Sequence, residues 1–404
     1  MDPFNSRFIL NEDRWPWIDY DKGISIILVG YGHCYGALMG YNLSLSAFPF
    51  FNYFNVFFFG FRMPLFFIVS GMLVSRSFNK KGLRNYIADR INNILHPLMV
   101  WGILEITLQI LLTRFTHLTN YGHIGPKTYL YLLIDPGKTG HFWYLNALFS
   151  IGVLYVLLKA VMRLKAMAQI IIGIAFYCIS AYIHVNDING GILSYVFEYY
   201  IFFALGDLVS TTMLDKNNRE KFSSWKTFFP LVILFGFLQY YCARLILHNP
   251  SFGIYYVERK LPFLFLAEAL VGCTLSLNFS FLLQRYNVFK FLRIVGFHSL
   301  FIYCMQIIVM QVARIFFMDA LHITYVPALI LLVWSTGIIL PVFVYNYCMK
   351  HGMWWLFTFR KPARQVEYLR YQNIFRPKRF VDRQRLRNQQ KRNTAAKAFE
   401  EVMD

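Results

Sequence analysis

Residues 19–33 read DYDKGISIILVGYGH, a charged lead that continues into an apolar run and ends in a histidine. If this stretch is helical, the step from Lys22 to His33 returns both side chains to within about 20° of one face, roughly 16 Å apart along the axis. An ionisable side chain at membrane depth is costly, so it is interpreted as functional, with a partner nearby. The alternative is a structural histidine with satisfied hydrogen bonds, and the stretch alone leaves both open.

Composition places the rest of the chain in a membrane as well. Of the 404 residues, 57% are hydrophobic, 42 are Phe and only 15% are charged, which is too apolar for the surface of a soluble fold. The net charge of +19 does not indicate nucleic-acid binding, because the cations lie in short loops and a tail beside apolar spans, where the positive-inside rule accounts for them. We therefore predict an all-α polytopic membrane protein with no nucleic-acid partner.

Apolar windows of about 20 residues predict ten transmembrane helices. Their approximate bounds are 23–45, 54–74, 94–113, 142–158, 168–183, 192–213, 227–247, 261–283, 295–318 and 325–349. The loops after the second, fourth, sixth and eighth spans hold 15 Lys and Arg residues, against five in the loops of the other side. This asymmetry predicts that both termini are cytoplasmic. We expect the protein in the inner (cytoplasmic) membrane.

The predicted organisation is a cytoplasmic lead (1–22), one membrane domain (23–349) and a basic cytoplasmic tail (350–404). The lead is polar, so the first apolar run is expected to remain as a span and not to be cleaved as a signal peptide. The tail begins with an aromatic run at 353–357 and is highly basic from Arg360. Such a segment is typical of contact with anionic membrane lipid or of a solvated tail.

Further polar groups within the predicted spans are Glu105, Glu198, Asp207, Arg244, Glu268, His298, Gln306 and Arg314. A buried carboxylate must be paired or protonated, and the mixed signs indicate internal pairs, although the sequence does not identify the partners. The six cysteines lie singly, without CxxC or metal-type His–Cys spacing, so no metal site is expected.

The second span carries its own irregularity. Pro64 interrupts the helical hydrogen-bond ladder and Ser70-Gly71 allows close backbone approach, so the span is expected to kink or to pack tightly. Arg62 lies beside this break. It is a candidate for the site, and the alternative is an arginine that snorkels to the outer interface.

The loop at about 114–141 is the longest predicted outer connection, and loops of this kind often carry recognition. Its histidines are His117, His123 and His141. Residues 141–145 read HFWYL. Aromatic faces at a membrane mouth can stack on sugar rings, and the alternative for Trp143 is an ordinary aromatic belt.

Taken together, these motifs resemble the membrane-bound acyltransferase family 3, and most closely its branch of fucose O-acetylase-like and surface-polysaccharide O-acetyltransferases. The resemblance lies in residues 17–19 (WID), 22–24 (KGI), 32–33 (GH), 63–67 (MPLFF), 70–71 (SG), 142–145 (FWYL) and 296–303 (GFHSLFIY), with Arg314 downstream. The family's basic residue, ten intervening residues and histidine fall on Lys22 and His33.

Three positions depart from the family's pattern. Members commonly show Arg-x-x-Arg at the start of the third span, whereas here Arg90 is followed at that spacing by Asn93. Gln306 stands where many relatives have a histidine, and Arg62 stands where this branch often has one. The first histidine is unaffected.

The resemblance implies an acyl-CoA donor, most simply acetyl-CoA as co-substrate, and a sugar hydroxyl acceptor on a glycan or a lipid-linked saccharide. Transfer from a thioester to an alcohol needs a base, cations for the donor's phosphates and stabilisation of an oxyanion. His33 is the predicted general base, and Asp19 is predicted to orient the cationic end, with a cap or salt bridge as its alternative. The predicted phosphate ligands are Lys22, Arg84 and Arg90. The predicted substrate contacts are Arg62, Ser70, His141, Trp143 and Arg314.

Two other classes of function stay open from the sequence. A transporter or flippase would explain ten spans and buried charges, but not the spacing of Lys22 and His33. A membrane scaffold or sensor acting through the basic tail would lose its function on deletion of residues 360–404. The oligomeric state, including a homo-oligomer, is also open.

Overall fold

The computed structural model describes residue 4 and residues 6–10, 15–39, 47–116 and 125–361. These residues are 86% helical and contain no strand, which confirms the predicted all-α class. The described residues up to Phe359 belong to one compact unit. The loop histidines His117 and His123, and the tail from residue 362 onward, lie outside the described residues.

Seventeen α-helices follow one another along the described chain. They are α1 (Ser6–Ile9), α2 (Pro16–Met39), α3 (Pro49–Phe57), α4 (Phe59–Met72), α5 (Val74–Arg90), α6 (His96–Thr116), α7 (Lys127–Ile134), α8 (Trp143–Val161), α9 (Ala166–Val185), α10 (Ile192–Met213), α11 (Arg219–Phe222), α12 (Trp225–His248), α13 (Tyr256–Lys260), α14 (Pro262–Tyr286), α15 (Phe291–Phe297), α16 (Ser299–Ile315) and α17 (Val326–Lys350).

Nine helical stretches in the described part of the chain are long and apolar enough to cross a membrane. They coincide with the second to tenth predicted spans, which confirms a polytopic membrane protein. The predicted first span corresponds to α2, which is not among the nine. At about 1.5 Å per residue a helix of this length still reaches across a bilayer core of about 30 Å.

The helix α2 lies inside the bundle, where α4, α14, α15, α16 and α17 pack around it. It begins at Pro16, before the predicted start at residue 23, because protein surrounds its charged first turns. Asp19 is 3% exposed and Asp21 is 0% exposed. The hydroxyl of Ser276 in α14 donates to Asp21 Oδ1 at 2.8 Å. A helix with protein on most sides can carry charges that a lipid-facing span could not.

Buried carboxylates elsewhere in the bundle have partners on neighbouring elements, although these partners are not the other polar groups predicted within the spans. The pairs are Glu105 with His141 (3.7 Å), Glu198 with His184 (3.1 Å), Asp207 with Tyr155 (2.7 Å) and Lys159 (3.3 Å), and Glu268 with Gln239 (2.8 Å). Such contacts reduce the cost of removing a charge from water.

The predicted tight packing at Ser70-Gly71 is present between α4 and α10. A Cβ added to Gly71 would overlap the backbone carbonyl oxygen of Phe203 in α10. Small residues let two helix backbones approach in this way inside a membrane, where packing replaces the hydrophobic effect as the driving force. Gly71 therefore fixes the distance between two central helices.

Replacing Gly71 with valine is expected to lower the free energy of unfolding by about 1–3 kcal/mol, because the added side chain must push α4 and α10 apart. Thermal unfolding in detergent micelles measures the effect. The matched control is Gly236→Val in α12, where no described atom outside the adjoining helix backbone lies within 4 Å of an added Cβ. Equal stability of the two variants would contradict the close contact.

Candidate active site

A cavity of about 290 Å³ lies among α2, α4, α5, α8 and α16. Its wall includes Lys22, Ser70 and Arg90, three residues that the sequence predicted for the site. Lys81 and Asp89 also line it, and their side chains are 43% and 39% exposed, so the cavity reaches the protein surface there. The distribution of Lys and Arg in the loops predicts that this mouth faces the cytoplasm.

One wall of the cavity is built around Arg90. Its Nε donates to the hydroxyl of Tyr86 at 2.9 Å, and its guanidinium lies 5.0 Å from the centre of the Tyr86 ring. Asn93 lines the same cavity. It belongs to a π-helical turn over Ile91–Leu95, an irregularity that often marks functional sites. The wall therefore offers one arginine and one neutral amide.

Arg84, a predicted phosphate ligand, lies outside the cavity wall and is exposed. The cause is a break in α5 at Gly82, where φ is 73° and ψ is 171°. Glycine adopts this left-handed region without the steric cost that other residues meet. In a continuous helix Lys81 and Arg84 would share a face. The break separates them, and of the two only Lys81 lines the cavity.

Two tyrosines close the inner end of the cavity. Tyr144 of α8 and Tyr303 of α16 line it, and their ring centroids lie 5.2 Å apart. The hydroxyl of Tyr303 donates to the backbone carbonyl of His141, and the two rings are 5.0 Å apart. A single side chain thus links the cavity to His141.

His141 meets His33 beyond this end. The ring centroids of the two histidines lie 5.6 Å apart, at an interplanar angle of 69°. His141 Nδ1 lies 3.7 Å from Glu105 Oε1, whereas His141 Nε2 has no hydrogen-bond partner among the described residues. The His141 ring therefore has a carboxyl group beside one nitrogen, while its other nitrogen is buried and can still accept or donate a hydrogen bond.

His33 is half-buried and does not line the cavity that Lys22 lines. Both residues belong to α2, the helix on which their spacing was interpreted. The contacts that join the cavity to His33 run through Tyr303 and His141. The cationic pocket and the histidine pair are therefore neighbouring parts of one site.

His141 was predicted in an outer loop, and the structure brings it into the helix bundle. From α7 the chain continues through 3₁₀ turns at Pro136–Phe142 into α8. The helix α7 packs against α6, and its Leu132 is 0% exposed. The side-chain amide of Asn146 donates to two carbonyl oxygens near the end of α7, at 2.7 and 3.0 Å. Irregular backbone at membrane depth requires such buried partners.

Arg62 contacts α2 beside His33. It is 7% exposed, and Nη1 donates to the carbonyl of Leu28 at 3.0 Å and to Asn55 Oδ1 at 3.3 Å. The guanidinium lies against Gly32. The snorkelling alternative is therefore wrong, because this charge is fixed inside the bundle next to the histidine.

Three other predicted site residues do not line the cavity. Asp19 is 3% exposed in the first turn of α2. Trp143 stacks on Tyr195 with ring centroids 4.8 Å apart, so protein covers one face of its indole. Arg314 is 4% exposed and lies 3.4 Å from the amide oxygen of Gln311. Their roles toward substrate stay predictions.

Several residues of this site were not assigned to it from the sequence. Tyr144 and Tyr303 lie within segments that carried the family resemblance, so a signal for them was present. Glu105 was identified only as a carboxylate within a span, and Lys81 only as one of the loop cations.

Comparison with known proteins agrees with the chemistry of this site. A family model described as an acyltransferase domain matches residues 15–346, a range that contains the whole cavity wall and both histidines. No curated protein and no solved structure matches the chain. Since the family match covers most of the sequence, the chain belongs to acyltransferase family 3 and is a multi-pass membrane acyltransferase.

Proposed function

We propose that this acyltransferase moves a short acyl group, acetyl in the simplest case, from acyl-CoA to a hydroxyl of a sugar in a cell-surface or exported glycan. The observation that supports this most strongly is the cavity with cations at its surface end and tyrosines at its inner end that contact the histidine pair. The motifs shared with polysaccharide O-acetyltransferases support the sugar acceptor. The positive-inside pattern supports cytoplasmic termini, and we place the protein in the cytoplasmic membrane.

The donor's phosphates fit the cationic end of the cavity. Lys22 and Arg90 line it, and charge-assisted contacts to phosphate are among the stronger hydrogen bonds in proteins. A volume of about 290 Å³ is at the lower limit of the roughly 300–1,000 Å³ typical of small-molecule pockets. The cavity therefore suits the pantetheine arm, and the nucleotide would stay at the mouth.

His33 acts as the general base in this proposal. The acceptor oxygen attacks the thioester carbonyl carbon while His33 takes the hydroxyl proton, the carbon–sulfur bond breaks, and the leaving CoA thiolate receives that proton. A neutral imidazole suits this task because its unprotonated ring nitrogen accepts the proton directly. His141 positions the His33 ring, and Arg62 supplies a fixed positive charge beside it for the developing oxyanion.

Purified protein in lipid nanodiscs, supplied with acetyl-CoA and a glycan acceptor, tests the proposed function. The expected result is release of free CoA thiol together with a glycan mass increase of one acetyl group per modified sugar. A transporter or flippase would release no thiol. Absence of thiol release with every short acyl-CoA, in protein shown to be folded, would contradict acyl transfer from CoA.

Replacing Lys22 with alanine is expected to raise the KM for acetyl-CoA about tenfold with little change in kcat, because one charge-assisted phosphate contact contributes about 1.5–3 kcal/mol. Initial rates across donor concentrations measure this effect. Arg84→Ala is the matched control, since that exposed residue lies outside the cavity wall and its loss should leave the donor KM unchanged. An unchanged KM for Lys22→Ala would leave Lys22 only a topological role.

A further inference from the structure

An ion pair crosses the mouth of the donor cavity. Lys81 Nζ lies 2.5 Å from Asp89 Oδ2, and both residues line the cavity. The two side chains come from opposite sides of the break at Gly82 in α5. The pair thus depends on a specific backbone feature.

This ion pair is placed where it can exchange partners. Both side chains are well exposed, and exposed ion pairs contribute little to folding stability because water and salt screen them. A phosphate of a bound nucleotide carries more charge than one carboxylate and offers several acceptor oxygens to an ammonium group. Lys81 can therefore leave Asp89 for a phosphate at small cost.

The position of Lys81 indicates which phosphate it would meet. Lys22 and Arg90 are half-buried, whereas Lys81 is the most exposed cation of the wall. A donor whose acyl end lies at the inner tyrosines presents its outermost phosphate at this exposed end. Asn93 also lines the wall but carries no charge, so Lys81 adds a third cation to Lys22 and Arg90.

We propose that Lys81 binds the ribose 3′-phosphate of acyl-CoA and that Asp89 is the competing partner that holds Lys81 while the cavity is empty. This assignment rests on the proposed function. It gives the two members of one ion pair opposite effects on donor affinity. Loss of Lys81 weakens donor binding, whereas loss of the Asp89 charge strengthens it, because the phosphate then meets an unoccupied lysine and no repelling carboxylate.

Donor kinetics with acetyl-CoA and with 3′-dephospho-acetyl-CoA test this proposal. Lys81→Ala is expected to raise the KM for acetyl-CoA about fivefold to tenfold, with kcat unchanged, and to leave the KM for the dephospho donor as in the parent. Asp89→Asn is expected to lower the KM for acetyl-CoA roughly threefold at low salt, an effect that shrinks as salt is added. Lys81→Arg should restore the parent KM.

The neighbouring variant Lys80→Ala is the matched control, because Lys80 is exposed and does not line the cavity. A structural ion pair alone would give Lys81→Ala and Asp89→Asn the same effect, with no dependence on the 3′-phosphate, and this result would overturn the proposal. An equal rise in KM for acetyl-CoA and for 3′-dephospho-acetyl-CoA in Lys81→Ala would also overturn the proposal. If the parent protein releases thiol from acetyl-CoA and Lys81→Ala leaves the KM for acetyl-CoA unchanged, the assignment of Lys81 is wrong and the proposed function stands. If the parent protein releases no thiol from acetyl-CoA, the proposed function itself is wrong.

Discussion

Replacing His33 with alanine is expected to reduce acyl transfer by about 10²–10⁴-fold while the protein still inserts and folds. The reason is that the acceptor hydroxyl is a weak nucleophile until a base takes its proton. His33 is half-buried, so its truncation removes the base without opening a large cavity in the core. Thiol release from acetyl-CoA and label transfer to the glycan, both in purified protein, measure the loss.

The control for this variant is His248→Ala, which removes an exposed histidine at the end of α12. It should keep parent activity. The donor KM of His33→Ala, or CoA binding where turnover is too slow, should also stay close to that of the parent, because His33 does not line the donor cavity. Retained transfer in well-folded His33→Ala protein would end the assignment of His33 as base.

Replacing His141 with alanine is expected to affect both stability and activity. Glu105 is 4% exposed, and its Oε1 lies 3.7 Å from His141 Nδ1. Removing one partner from a buried polar contact typically costs about 1–3 kcal/mol, because the remaining group loses an interaction without regaining water. The same change removes the ring that packs against His33, so transfer should fall as well. Thermal unfolding and thiol release measure the two effects separately.

A second substitution separates these two effects. Adding Glu105→Gln to the His141→Ala variant removes the remaining buried carboxyl group, and Gln109 can still donate to the amide oxygen as it now donates to Glu105 at 3.1 Å. The double variant is expected to regain part of the lost stability but none of the lost activity. Equal stability of the single and double variants would show that Glu105 does not depend on His141.

The fold was largely predictable because a bilayer imposes length and hydropathy on every span. The nine candidate spans fall on nine of the predicted apolar windows. The start of α2 was missed for a related reason. Asp19 and Asp21 look like edge residues in a hydropathy profile, yet both are buried against other helices. Hydropathy cannot distinguish a charge at a membrane edge from one inside a bundle.

The site was predictable where it depends on one helix and not where it depends on several. Lys22 and His33 belong to α2, and the first predicted apolar window, which begins at residue 23, already indicated that helix. His141 could not be assigned to His33 from sequence, because the contact requires the return of the chain through α7 and the turns at Pro136–Phe142. Arg84, predicted as a phosphate ligand, lies outside the cavity wall, and a helical pattern does not reveal the break at Gly82 that separates it from Lys81.

The most direct test of the central claim is an electron cryo-microscopy map of the protein in nanodiscs with a non-hydrolysable thioether analogue of acetyl-CoA. We expect the phosphates beside Lys22, Lys81 and Arg90, and the acetyl group at the Tyr303 end of the cavity, next to His141. An analogue bound with its acetyl group outside this cavity, or turned so that the acetyl group lies at the Lys81 mouth, would contradict the account.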